Sequence, residues 1–274
     1  MRLLKIACLV FGLLLTSESG VNAQIGRGAG AGPATQISVE TLNKEGVALI
    51  RASRYEAAIV KFKKVIAVRS DYPSAQYNLG VCYYNLRRYN EAINAYQSAI
   101  ELDPEDFDAH LFLGNALDYN GDYEEAAAAY QKASSLRPDD PQPYTELGVS
   151  YYRQKKYANA ETAYKRALLI DPKNARTWSK LGDTYQSMER EEDSLNAFRK
   201  SIAIEPNSGD ANLGMGNYYY NTGQYQTSLK YYQTAVRVDA KDATAQLYLA
   251  DNYRMLKRFA EAEQSYKAAI GLDS

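Results

Sequence analysis

A chain of 274 residues, 46% hydrophobic and 24% charged, has the composition of a folded protein in water rather than of a disordered or membrane-embedded one. Its 32 Lys and Arg against 33 Asp and Glu leave a formal net charge of −1 and a pI near 6.0, so no positive excess argues for nucleic acid or an anionic membrane surface. One histidine and two cysteines are too few for a zinc centre or for a Ser/His or Cys/His nucleophile system.

Arg2 and Lys5 precede the apolar run Ile6 to Leu15, and Val21-Asn22-Ala23 sets small side chains where signal peptidase reads them. Residues 1–23 are therefore expected to be a cleaved export signal. Its apolar run is about half of the ~20 residues that span a bilayer, so no membrane span is expected to remain after cleavage. Cys8, in the context Lys5-Ile6-Ala7-Cys8, sits too early and is wrongly flanked for lipid attachment. In a bacterium such a chain would be periplasmic or secreted. Cys82 is then the one cysteine left, and its place beside Leu79 and Tyr83 predicts burial. Residues 24–38, QIGRGAGAGPATQIS, carry no apolar period and read as a flexible tether. The GAGAG run from Gly28 to Gly32 follows no strand and is no phosphate loop.

From Val39 onward one 34-residue unit recurs without insertion, filling 39–72, 73–106, 107–140, 141–174, 175–208, 209–242 and 243–274, the last two residues short. In the fourth copy Tyr144, Leu147, Gly148 and Tyr151 mark one helical stripe, and Tyr157, Ala160, Tyr164 and Ala167 a second. Each unit therefore predicts two amphipathic helices. The eighth place is Gly46, Gly80, Gly114, Gly148, Gly182, Gly216 and Ala250. An aromatic ring follows in the second helix at Phe62, Tyr96, Tyr130, Tyr164, Phe198, Tyr232 and Tyr266, one turn after a small residue, Ala58, Ala92, Ala126, Ala160, Ser194, Ser228 or Ala262. Small residues on facing turns let the two helices approach, and the ring is expected to fill the gap where the next hairpin stacks. A further aromatic opens the second helix in every copy except the fifth, which has Glu191. Pro104, Pro138, Pro172 and Pro206 close copies two to five, each forcing the residue before it out of the helical region.

This register of large and small residues resembles the tetratricopeptide repeat, a 34-residue helix-turn-helix unit, over the whole of 39–274. The resemblance implies an all-α, right-handed α-solenoid of seven repeats whose first helices line a concave face. Departures are local: Glu45 where other copies have Leu or Met, Ser194 and Ser201 in copy five, and Ser228 and Ala240 in copy six. By resemblance the lining comes from the second, fifth, ninth, twelfth and thirteenth places. Among these, Tyr77, Tyr84, Asn115, Tyr119, Tyr152, Arg153, Asn217 and Tyr220 are the candidates for holding a partner. Tyrosines offer flat apolar contact with a hydroxyl, and amides can pair with a peptide backbone.

The family's clamp for a C-terminal carboxylate, Lys and Asn at the fifth and ninth places, is absent: Asn43 goes with Val47 and Leu111 with Asn115. His110 falls where copy four has Tyr144 and copy five Trp178, and is expected to be a packed core residue rather than a base. Glu124-Glu125 and Asp139-Asp140 lie at turns and helix starts, where they complement helix dipoles. Charge is banded: copy three carries two basic and seven acidic side chains, copy four six and three. No cofactor, metal or nucleic acid is expected. The expected function is a non-enzymatic, exported scaffold that holds an extended segment of a protein partner in its groove. The alternatives are self-assembly through the C-terminal repeat, or service as an accessory subunit of a secretion or glycan-modifying complex.

Overall fold

In the computed structural model, which describes residues 38–273, the 34-residue period becomes a series of helical hairpins. The hairpins are α1 (Val39–Arg51) with α2 (Tyr55–Val68), α3 (Pro73–Asn85) with α4 (Tyr89–Leu102), α5 (Phe107–Asn120) with α6 (Tyr123–Leu136) and α7 (Pro141–Arg153) with α8 (Tyr157–Ile170). They continue as α9 (Ala175–Ser187) with α10 (Glu191–Ile204), α11 (Gly209–Asn221) with α12 (Tyr225–Val238) and α13 (Ala243–Met255) with α14 (Phe259–Asp273). The expected leader, 1–23, and the tether up to residue 37 lie outside the described residues. Ser38 caps α1, accepting from the Thr41 amide at 3.1 Å. No described helix is long and apolar enough to cross a membrane.

Each helix packs on the next in sequence, and the first helices of successive hairpins also touch directly, from α1 on α3 through to α11 on α13. The backbones of successive second helices do not approach one another in this way. Within 38–274 the first helices therefore gather on the inner side of the stack and the second helices fan out behind them. This is an all-α solenoid held by neighbour contacts.

The glycine at the eighth place has a more specific partner than its smallness implied. A Cβ built on Gly148 would lie 2.5 Å from the Tyr164 ring, and one on Gly80 2.6 Å from the Tyr96 ring. The aromatic thus sits on the glycine of its own hairpin, which corrects the expectation that it chiefly fills the gap to the next. Its far side still reaches forward: Tyr96 stacks on Phe112 at 6.3 Å, and a Cβ on Gly214 would lie 2.3 Å from Phe198. Most of these rings are almost wholly buried.

Helix ends follow from local chemistry. Asp106, Asp140, Asn174 and Asp242 cap the next first helix by accepting amide hydrogen bonds at 2.9–3.2 Å. The residue before each closing proline, such as Asp103 or Asp171, is extended or nearly so, and the helix stops there. Arg69 and Asp239, with no proline after them, take the same conformation, so the stack imposes it and proline only favours it.

Candidate functional site

The ninth place of the inner helices is tied to the core. Tyr130 donates its hydroxyl to Asn115 Oδ1 at 2.7 Å, Tyr232 to Asn217 Oδ1 at 2.7 Å, and Tyr266 to Asp251 Oδ1 at 2.6 Å. The candidate amides Asn115 and Asn217 have therefore committed their oxygens to the fold, and this fixes which way each amide faces. Their nitrogens keep two donors apiece with no partner among the described residues. In the second repeat Val81 stands at this place, and the buried Tyr96 hydroxyl is left without a partner. Burial, reinforced by Tyr77 and Tyr84, pushes its ionisation far up.

The candidate tyrosines fall into pairs on alternate hairpins. Tyr84 meets Tyr89 at 5.8 Å, Tyr152 meets Tyr157 at 5.5 Å, and Tyr220 meets Tyr225 at 5.4 Å, so each twelfth-place ring rests on the ring that opens its partner helix. Tyr119 joins the first pair, stacked on Tyr89 at 5.5 Å and edge-on to Tyr84 at 5.8 Å, and remains 38% exposed. The Tyr152 hydroxyl also shares a hydrogen bond with Ser187 at 3.0 Å across to the next repeat. Tyr84, Tyr152 and Tyr220 are half-buried, each showing part of its ring to solvent. Tyr77 is different in character: it packs on Tyr96 at 5.8 Å and Phe112 at 6.0 Å, and belongs more to the core than to the lining.

The inner cations are held by carboxylates. Arg153 donates to Asp118 Oδ2 at 2.6 Å and to its carbonyl at 3.3 Å. Arg176 forks onto Glu146 at 2.7 and 3.2 Å, Lys180 reaches Asp210 at 3.0 Å, and Arg254 lies 3.6 Å from Asp251. Arg153 thus serves as a strut from the fourth repeat to the third rather than as an open groove cation. Asp118 is only 9% exposed, and burial raises its carboxyl above the usual range despite Arg153 and a hydrogen bond from Ser150.

His110 is buried, and its Nε2 donates to the Pro104 carbonyl at 3.1 Å. Trp178 does the same to Pro172 at 2.9 Å, Asn212 to Pro206 at 3.1 Å and Gln246 to Ala240 at 3.3 Å. The fourth place therefore satisfies the carbonyl of the preceding inter-repeat loop, and four chemically unlike side chains perform one task. Sequence reading missed this because the shared feature is a reach of six residues, not a residue type. Cys82 is fully buried, and burial, with Glu56, pushes its thiol up to about 12. No cluster of three metal-ligating side chains occurs among the described residues.

Helical hairpins in 34-residue register, stacked with their first helices inward, define a tetratricopeptide-repeat protein. A family model described as the cilia and flagella-associated protein 70 C-terminal domain matches residues 28–273, and the chain belongs to that family. Solved structures share the fold. Pseudomonas aeruginosa pilF is 22% identical over 70% of this chain and 88% of that one, with a TM-score of 0.62. The C-terminal part of a TPR repeat-containing protein from Cytophaga hutchinsonii is 20% identical over 84% of this chain and 95% of that one, with a TM-score of 0.62. MamA from Desulfovibrio magneticus is 20% identical over 62% and 96%, with a TM-score of 0.59. No curated protein matches.

Proposed function

We propose that the chain is an exported scaffold whose inner face holds an extended segment of a partner protein and carries out no chemistry of its own. A repeat array of this family is a protein-interaction scaffold. The observation that favours the inner face is the row of half-exposed tyrosine pairs on alternate hairpins, Tyr84 with Tyr89, Tyr152 with Tyr157 and Tyr220 with Tyr225. Asn115 stands on the hairpin between the first two pairs and Asn217 on the same helix as Tyr220, and the amide nitrogens of both are oriented by bonds to core tyrosines. Rings give apolar contact at little entropy cost, and the amides supply donors for peptide carbonyls.

Export rests on Arg2, Lys5, the run Ile6 to Leu15 and Val21-Asn22-Ala23. N-terminal sequencing of the protein purified from its own host tests it, with Gln24 expected as the first residue. Groove binding is tested by crosslinking the full chain in its native compartment, alongside a variant with Tyr84, Tyr119 and Tyr152 changed to alanine. A partner lost in the variant supports the reading. An identical set of partners for both chains refutes it.

A further inference from the structure

The outer side of the array carries a second feature, independent of the groove. The backbones of successive second helices stay apart, and a crevice opens between α8 and α10 over the back of α9. It has a volume of about 320 Å³ and is floored by Leu168, Leu181 and Trp178, with Leu169 standing 72% exposed at its edge. That volume is at the low end for ligand sites, room for a side chain rather than a cofactor. At the place of Leu169 the other repeats have Ala67, Glu101, Ser135, Ala203, Arg237 and Gly271, so this apolar edge is peculiar to one junction.

The charges around it are unbalanced. Three cations in or beside it, Lys165, Arg190 and Lys200, outnumber the two carboxylates that pair with them, Glu161 and Asp193. Glu161 is shared between Lys165 at 2.7 Å and Arg190 at 2.8 Å, and Asp193 is held by Arg190 at 2.6 Å. The Lys200 ammonium lies 4.2 Å from the Trp178 ring centre, with no carboxylate partner among the described residues. The equivalent crevice between α12 and α14 has Gln246 in place of Trp178, Ala268 in place of Lys200, and Glu261 on its rim. It has neither the apolar edge nor the two lysines, for Gln233 and Ala268 stand at the places of Lys165 and Lys200.

The geometry points to this outer crevice as a docking site for an acidic segment of a partner protein, one leucine-sized side chain entering over Leu169 and against Trp178 while its carboxylates meet Lys200 and Lys165. The probe is a labelled peptide with one leucine flanked by glutamates, compared with its counterpart carrying lysines instead. The full chain reports directly, because Trp178 is its only tryptophan. Saturable changes in Trp178 emission and in peptide anisotropy are expected with the acidic peptide alone. Affinity should fall at least tenfold in L169D, in K200E and in about 0.5 M salt, where charge is screened within a few ångströms, and stay unchanged in Y84A. Leu169 is exposed, so L169D should melt like the parent. No saturable signal, equal binding of the lysine peptide, or loss in Y84A instead of L169D would each overturn the site.

Discussion

Gly148 and Tyr164 act as one part. The ring is 1% exposed and would stand 2.5 Å from any Cβ on the glycine, so G148A forces a packed ring to move and should cost about 1–3 kcal/mol in urea unfolding. In a Y164L background most of that cost should vanish, because the two changes remove the same contact. In the seventh repeat Ala250 occupies the place, and Tyr266 is only half-buried. Two carboxylates differ in how they couple stability to pH. Burial raises the Asp118 pKa, so the folded chain holds that proton more tightly than the unfolded one, and its contribution falls as pH rises through the carboxylate range. Burial also opposes the charge on Glu161, but hydrogen bonds from Lys165, Arg190 and Tyr185 outweigh it and lower the pKa, so its contribution is present at neutral pH and lost on acidification. Urea midpoints measured across the carboxylate range should show D118N removing a downward slope with rising pH and E161Q removing an upward one.

At the scale of the hairpin, the fifteenth place of every repeat takes the left-handed conformation, with φ from 56° to 60° at Ser53, Arg87, Lys155, Glu189 and Lys257 and larger values at Gly121 and Gly223. The next amide bonds back five residues, as Lys156 does to the Tyr151 carbonyl at 2.9 Å, closing the first helix with a Schellman-type turn. A side chain is strained there by about 1–2 kcal/mol, part of which glycine returns in backbone entropy. K155G should therefore raise stability by about 0.5–1 kcal/mol, and G223V should lower it, both read from thermal unfolding. No residue type marks this position, so the turn was foreseeable as a polar break between stripes but not as a conformation.

Across the array the apolar core is divided. One cluster runs from α1 to α8, a second joins α8 to α10, a third α10 to α12 and a fourth α12 to α14. The fifth repeat buries Thr177, Ser179, Thr184, Ser194 and Ser201, and the Ser179 hydroxyl has no partner. Ser194 and Ser201 bond the carbonyls of Gly182 and Ala175 at 2.9 and 2.8 Å, which avoids orphaned groups but supplies less apolar contact than the alanines that most other repeats have at these places. Repeat stability is a sum of local terms, so the array should open first around repeat five. Trp178 emission is expected to lose its native value at a lower urea concentration than helical circular dichroism. Coincident curves would show a single cooperative unit.

The succession of helical hairpins, the glycine and aromatic register and the burial of Cys82 and His110 were legible in the chain, because a 34-residue period repeats each signal seven times. Of the groove candidates, Tyr84, Tyr119, Tyr152 and Tyr220 keep ring surface in solvent. Arg153, Asn115 and Asn217 are partly consumed by Asp118, Tyr130 and Tyr232. Those bonds join residues 15 to 35 places apart, across the hairpin or to the next repeat. Periodicity says which face a side chain occupies. Only the packed stack decides which neighbour it meets there, and so whether its polar atoms remain available to a partner.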